Sequence, residues 1–156
     1  MVWGFPQESF VVDKHFAATA NLFVRREAFE AVGPFNAGMM SAGDVEWGQR
    51  AHSRGKTLVF SASALVRHAA RRTVGELAAK YARTCGGHYQ LRRMRGEGHG
   101  AALAKLVRKP LLALADRQRI PTATERVRYA GVELLISGVQ LIELARLVCG
   151  GVPRRR

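Results

Sequence analysis

Residues 41–55, SAGDVEWGQRAHSRG, put two acids, Asp44 and Glu46, beside Trp47 at the start of a predicted helix. Acids are scarce in this chain, with twelve Asp and Glu against 25 Lys and Arg. A carboxylate at that position can serve the helix itself, whose free N–H groups and dipole stabilise negative charge there. It can equally serve a ligand, because the preceding FNAGMMSAG is a loop of small residues whose glycines permit close approach. Trp47 is either core or the wall of a binding pocket. His68 follows about two dozen residues later, at the end of a β-type run, where it is either a hydrogen-bonded side chain or a metal ligand.

Local elements must hold these groups in place. Residues 1–15 read as irregular, punctuated by Gly4 and Pro6. Leu22 to Val24 reads as a short buried strand that runs into a helix, REAFEAVG, stopped by Gly33 and Pro34. The helix that carries the acids spans about 44–54, and Gly55 ends it. KTLVF and ALVRH are two further β-type runs, separated by small residues. Thr73 and Glu76 have capping-box spacing and predict a long helix to about Met94. After the flexible GEGHG, helices are predicted near 101–117, with Pro110 as a kink or interruption, and 125–149. In the last, Arg126, Glu133, Ser137 and Gln140 share one narrow stripe, and the rest is so apolar that a wide buried face is expected.

Size and composition bound the whole. A chain of 156 residues with 47% hydrophobic content can bury a real core. Charge is lopsided: residues 1–70 hold seven Lys and Arg against six acids, whereas 71–156 hold eighteen against six. A surplus of twelve on one half implies an anionic partner, either nucleic acid, acidic lipid or a phosphorylated substrate. Twenty of the basic residues are Arg, which fits phosphate recognition or simply a GC-rich genome. Cys85 and Cys149 form neither a zinc spacing nor a disulfide framework, which fits a reducing cytoplasm. The start lacks the pattern of a signal peptide, and no run of about 18 uncharged apolar residues occurs to cross a membrane.

The stretch ATANLFVRREAFEAVGPFNAGMMSAGDVEWGQR, followed by Arg54-Gly55 and Val66-Arg67-His68, resembles the C-terminal half of the family 2 glycosyltransferases with the GT-A fold. The resemblance covers roughly residues 16–95. It implies an α/β fold class, with 1–95 as the acceptor-side part of a GT-A nucleotide-sugar transferase domain and 96–156 as a basic amphipathic helical extension. It implies an inverting transferase in which Asp44 is the general base that takes the proton from an acceptor hydroxyl. Asn21, Glu46 and Trp47 are then candidate substrate-binding residues, since sugars stack on indole and hydrogen-bond to carboxylates. His68 matches the histidine that completes the shell of the divalent cation, Mn²⁺ or Mg²⁺, on the donor diphosphate. Gly43 stands where the family usually has Glu.

The family's nucleotide-binding half, which ends in D-x-D, has no counterpart here, so the isolated chain is expected to be inactive and a separate N-terminal half is a possible partner. The other expected partners are a nucleotide-sugar donor and a glycan or lipid-linked acceptor of the cell envelope. The basic helices suit either a bundle packed on the catalytic domain or peripheral contact with a membrane, which places the chain in the cytoplasm, at the inner face of the cell membrane. The competing class is a non-enzymatic basic module for nucleic acid or membrane. For nucleic acid the chain lacks zinc-finger spacing, an aromatic-rich RNA-binding strand and a compact helix-turn-helix, and that partner is not expected.

Overall fold

The computed structural model describes residues 6–69, 71–118 and 120–154. The chain divides into two units, residues 1–70 and 71–156. In the first, α1 (Gln7–Lys14), a short 3-10 turn (Thr19–Asn21), α2 (Arg26–Val32) and α3 (Gly43–Ser53) are joined by non-helical stretches. The second holds three long helices, α4 (Val74–Met94), α5 (Gly100–Ala115) and α6 (Ala123–Val148). No strand occurs among the described residues.

This overturns the expectation of an α/β class, and with it that of a GT-A fold fragment. Leu22 does have extended backbone angles (φ −124°, ψ 122°). A strand, however, is defined by a ladder of hydrogen bonds to a neighbour, and neither 22–24 nor 57–60 forms one among the described residues. Phe23 and Val59, at 84% and 81% exposed, face solvent instead of a sheet's core. The β-type composition is present; the second strand that would turn it into a sheet is not.

The amino-terminal residues correct a second expectation, because 7–14 are helical. Pro6 opens α1 with the fixed φ that suits a helix start, and Phe10 accepts a stack from Phe16 at 4.7 Å once the chain turns back at His15. His15 takes the left-handed conformation (φ 56°) to make that turn. Helix α2 stops at Gly33 (φ 83°), where only glycine adopts the angle without strain. Helix α3 packs on α2 through Trp47 and Ala51 against Val32, with Phe29 alongside. Gly48 lets α3 approach the chain closely, since a Cβ there would meet the Phe16 Cα at 2.6 Å.

In the second unit, α4 begins with the expected capping box: Thr73 accepts from the Glu76 N–H while the Glu76 carboxylate accepts from the Thr73 N–H. Those backbone bonds, the Arg72 N–H first and the Thr73 N–H next, hold the Glu76 carboxyl below its ordinary range. Helix α5 runs through Pro110 without interruption. Helices α4 and α6 meet through Cys85, Tyr89, Leu144 and Leu147, and the Tyr89 hydroxyl donates to the Leu147 carbonyl at 3.1 Å.

Helix α6 is oriented differently from its expected wide apolar face. It buries Ala130, Ile136, Leu144 and Leu147, but it also turns Glu133, Ser137 and Glu143 inward. The inward acids find partners one turn away on α6 and others from beyond it. Glu143 receives Arg146 at 2.6 Å and Arg154 at 3.3 Å, and Glu133 accepts from the Tyr129 hydroxyl at 3.1 Å and faces Lys109 at 3.9 Å. Burial first, and the Glu133 carboxylate second, push the Tyr81 phenol upward. Val127, Leu134, Leu135 and Ile142 are left on the outside.

Candidate functional site

The acid pair is split by the geometry into two different environments. Asp44, the second residue of α3, is half-buried, and its carboxylate accepts the Val45 N–H at 3.0 Å through Oδ1 and the Thr19 N–H at 3.4 Å through Oδ2. Each oxygen therefore retains acceptor capacity. The helix start itself is formed at Ala42, which adopts φ 58° so that the loop can enter α3. That turn carries no side-chain cap, so the free N–H groups and the helix dipole act on the Asp44 carboxylate.

Glu46, two residues on, is engaged. Arg50 donates to it through Nε at 2.8 Å and Nη2 at 3.2 Å. The same guanidinium donates to the Val32 carbonyl, and at 2.8 Å to that of Pro34, while Arg54 donates to Ala31 and Val32 at 3.0 and 2.8 Å. Carbonyls at the end of α2, which have no partner within their own helix, are thus satisfied from α3. Trp47 adds to this, donating from Nε1 to the Gly33 carbonyl at 2.7 Å while its ring is buried between Phe29 and Phe35.

Two cavities open in this unit. The smaller, about 370 Å³, is walled by Asn21, Leu22, Val24, Trp47, Ala51 and Phe60 among others. Asn21 donates from Nδ2 to the Ala64 carbonyl at 2.7 Å, which fixes its amide, and its buried Oδ1 is left with no partner among the described residues. Gln7 braces this turn through the Asn21 and Ala18 backbones. The larger cavity, about 520 Å³, has Glu8, His15, His52 and Val59 on its wall, with the two imidazoles stacked at 3.7 Å and 5° from parallel.

The structure therefore brings Asn21 and Trp47 to one cavity. It sets Asp44 beside Thr19, two residues from Asn21 in sequence, on the wall of neither cavity, and commits Glu46 to Arg50. His68 stands exposed on a non-helical stretch. Among the described residues no three or more His, Cys, Asp or Glu side chains come together to hold a metal ion. Residues 37 apart in sequence, His15 and His52, carry no spacing signal. Arg50 does carry one, since Glu46 and Arg50 have the i, i+4 spacing of a helical ion pair.

No family model and no solved structure matches the chain. Among curated proteins the chain is similar to a glycosyltransferase, with 41% identity over 78 residues. That relative is glycosyltransferase AglE of Haloferax volcanii; the shared stretch takes up 50% of this chain and 25% of the relative. The chain thus matches about a quarter of the relative's length. No helix among the described residues is long and apolar enough to cross a membrane.

Proposed function

We propose that residues 1–95 contribute the acceptor side of a glycosyltransferase that moves a sugar from a nucleotide-sugar donor to an acceptor hydroxyl on a glycan or lipid-linked carrier. The observation that carries this reading is the 41% identity to a glycosyltransferase, and the half-buried Asp44 carboxylate supplies its chemistry. The acceptor oxygen attacks the anomeric carbon, the bond from that carbon to the donor phosphate breaks, and the hydroxyl proton passes to Asp44. Two backbone N–H groups hold the carboxylate in place, so little reorganisation accompanies proton transfer. Asn21, with its unpartnered Oδ1, offers an acceptor for a sugar hydroxyl. Trp47 lends the wall of the cavity, and Glu46 serves through Arg50 by keeping α3 on α2. Donor binding, and the ligands of any divalent cation on the donor diphosphate, come from polypeptide beyond this segment, with His68 as this chain's candidate contribution.

The test is a graft. Residues 1–95 of this chain, which keep the brace from Gln7, replace the matching part of AglE, and the sugar transfer of the parent relative is followed. The graft retains transfer, and Asp44→Asn in the graft lowers kcat by roughly a hundredfold or more, the range of a lost general base. A graft whose Asp44→Asn form is as active as its parent would sink the assignment.

A further inference from the structure

Around its core, the second unit leaves many large apolar side chains exposed. On α6 every exposed residue between 130 and 145 is Gly131, Val132, Leu134, Leu135, Ile142 or Ala145, with no charge among them. Leu134 and Ile142 are 66% and 72% exposed. The two acids in the same stretch, Glu133 and Glu143, point inward and are held there by the groups named above. On α5, Leu103, Val107, Leu111 and Leu114 repeat at steps of four, four and three, so they form one stripe, and all are exposed. Lys105 and Arg108 are exposed on the same helix, and Arg128 on α6.

An apolar surface of this extent calls for an occupant. A second copy of the chain would bring together two units that each carry twelve excess positive charges, which opposes the contact. An anionic bilayer satisfies both properties at once, because aliphatic side chains enter the acyl boundary while Lys and Arg reach the headgroups. No helix among the described residues is long and apolar enough to cross a bilayer, so contact of this kind would be along its surface. We infer that residues 71–156 are an interfacial module that binds anionic phospholipid through the exposed faces of α5 and α6. This rests on the second unit alone and stands or falls independently of the catalytic reading.

The test is flotation of the full chain with vesicles of phosphatidylcholine, and of phosphatidylcholine with about one-third phosphatidylglycerol. Binding to the anionic vesicles is expected to exceed binding to the neutral ones by tenfold or more, since each basic group near such a surface contributes about fivefold. The charge-neutral double variant Leu134→Ser/Ile142→Ser is expected to weaken binding about tenfold or more while helix content by circular dichroism is unchanged. Lys105→Ala/Arg108→Ala is expected to reduce the preference for anionic vesicles on the order of tenfold. Equal binding by the Ser variant would overturn the apolar insertion, and equal binding to both vesicle types would overturn the anionic assignment. A chain that stays unbound, with sedimentation showing a dimer that the Ser variant splits, would give the face to a second copy.

Discussion

Replacing Gly48 by Ala adds one carbon at the point where α3 rests on residues 15 and 16. The added Cβ would lie 2.6 Å from the Phe16 Cα, 2.7 Å from its Cβ and 3.0 Å from the His15 carbonyl oxygen. Carbon atoms rest at about 3.5–4.0 Å, so roughly 1 Å of separation must be found. The obstructing atoms are mostly backbone, and Phe16 is held by its stack on Phe10 and followed by the buried Ala17 and Ala18. Overpacking of this kind costs about 1–3 kcal/mol, and the immobility of the neighbours favours the upper part of that range. Against it, alanine is better than glycine in a helix interior by about 1 kcal/mol. The balance is a loss of roughly 1–2 kcal/mol, which for a unit of this size lowers Tm by about 5–15 °C. Both tryptophans lie in residues 1–70, so thermal unfolding followed by tryptophan fluorescence reports on this unit. Gly138→Ala is the matched control: nothing lies within 4 Å of its added carbon, and the second unit, followed by circular dichroism, is expected to gain stability. A Gly48→Ala protein as stable as wild type would refute the close approach and the account of how α3 is seated.

Three other outcomes follow from the geometry. Arg50→Lys loses the planar fork that serves Glu46, Val32 and Pro34 together, and is expected to destabilise the first unit by about 1–3 kcal/mol in urea unfolding; an unchanged midpoint would remove the clamp from the account. Cys85 is buried, and burial pushes its thiol up, whereas Cys149 is exposed, so a disulfide reagent at neutral pH should titrate one thiol per native chain and two in denaturant. The Glu76 carboxyl is lower in the folded chain than in the unfolded one, so its contribution to the start of α4 is complete above the ordinary glutamate range. That contribution is lost as pH falls through the folded value; Glu76→Gln should flatten this acid-side loss of helix content in circular dichroism, and an unaltered profile would exclude the capping box as its source.

Where a helix is specified by its own ends, the sequence reveals it. Gly33, Gly55 and the Thr73–Glu76 pair mark α2, α3 and α4 because the angles and bonds involved are local. Helix α1 was hidden by reading Pro6 as a break, when a proline just ahead of a helix is a start. The strands fail for another reason: β-type composition in 22–24 and 56–60 is a property of one segment, but a ladder belongs to two. The stripe of α6 can be located from periodicity, but that it faces inward shows only once Lys109 of α5 and Arg154 beyond the helix meet Glu133 and Glu143. At the candidate site Asp44 and Trp47 were visible as types and positions. The engagement of Glu46, the orphaned Oδ1 of Asn21 and the stacked His15 and His52 arise only from folding.

The guanidinium and indole groups of α3 that hold the carbonyls of residues 31–34 have a consequence for the segment between the helices. The segment leaves from a fastened point and returns to a fastened point, with Phe35 packed on Trp47 at one end and Ala42 forming the start of α3 at the other. Loop closure becomes only slowly more costly with length, and Asn36, Ala37 and Gly38 are exposed. Insertions at 36–38 can therefore be accommodated without moving the fastened ends that seat α3 on α2. Differences in chain length between relatives are accordingly expected at 36–38 before they are expected in the helices on either side.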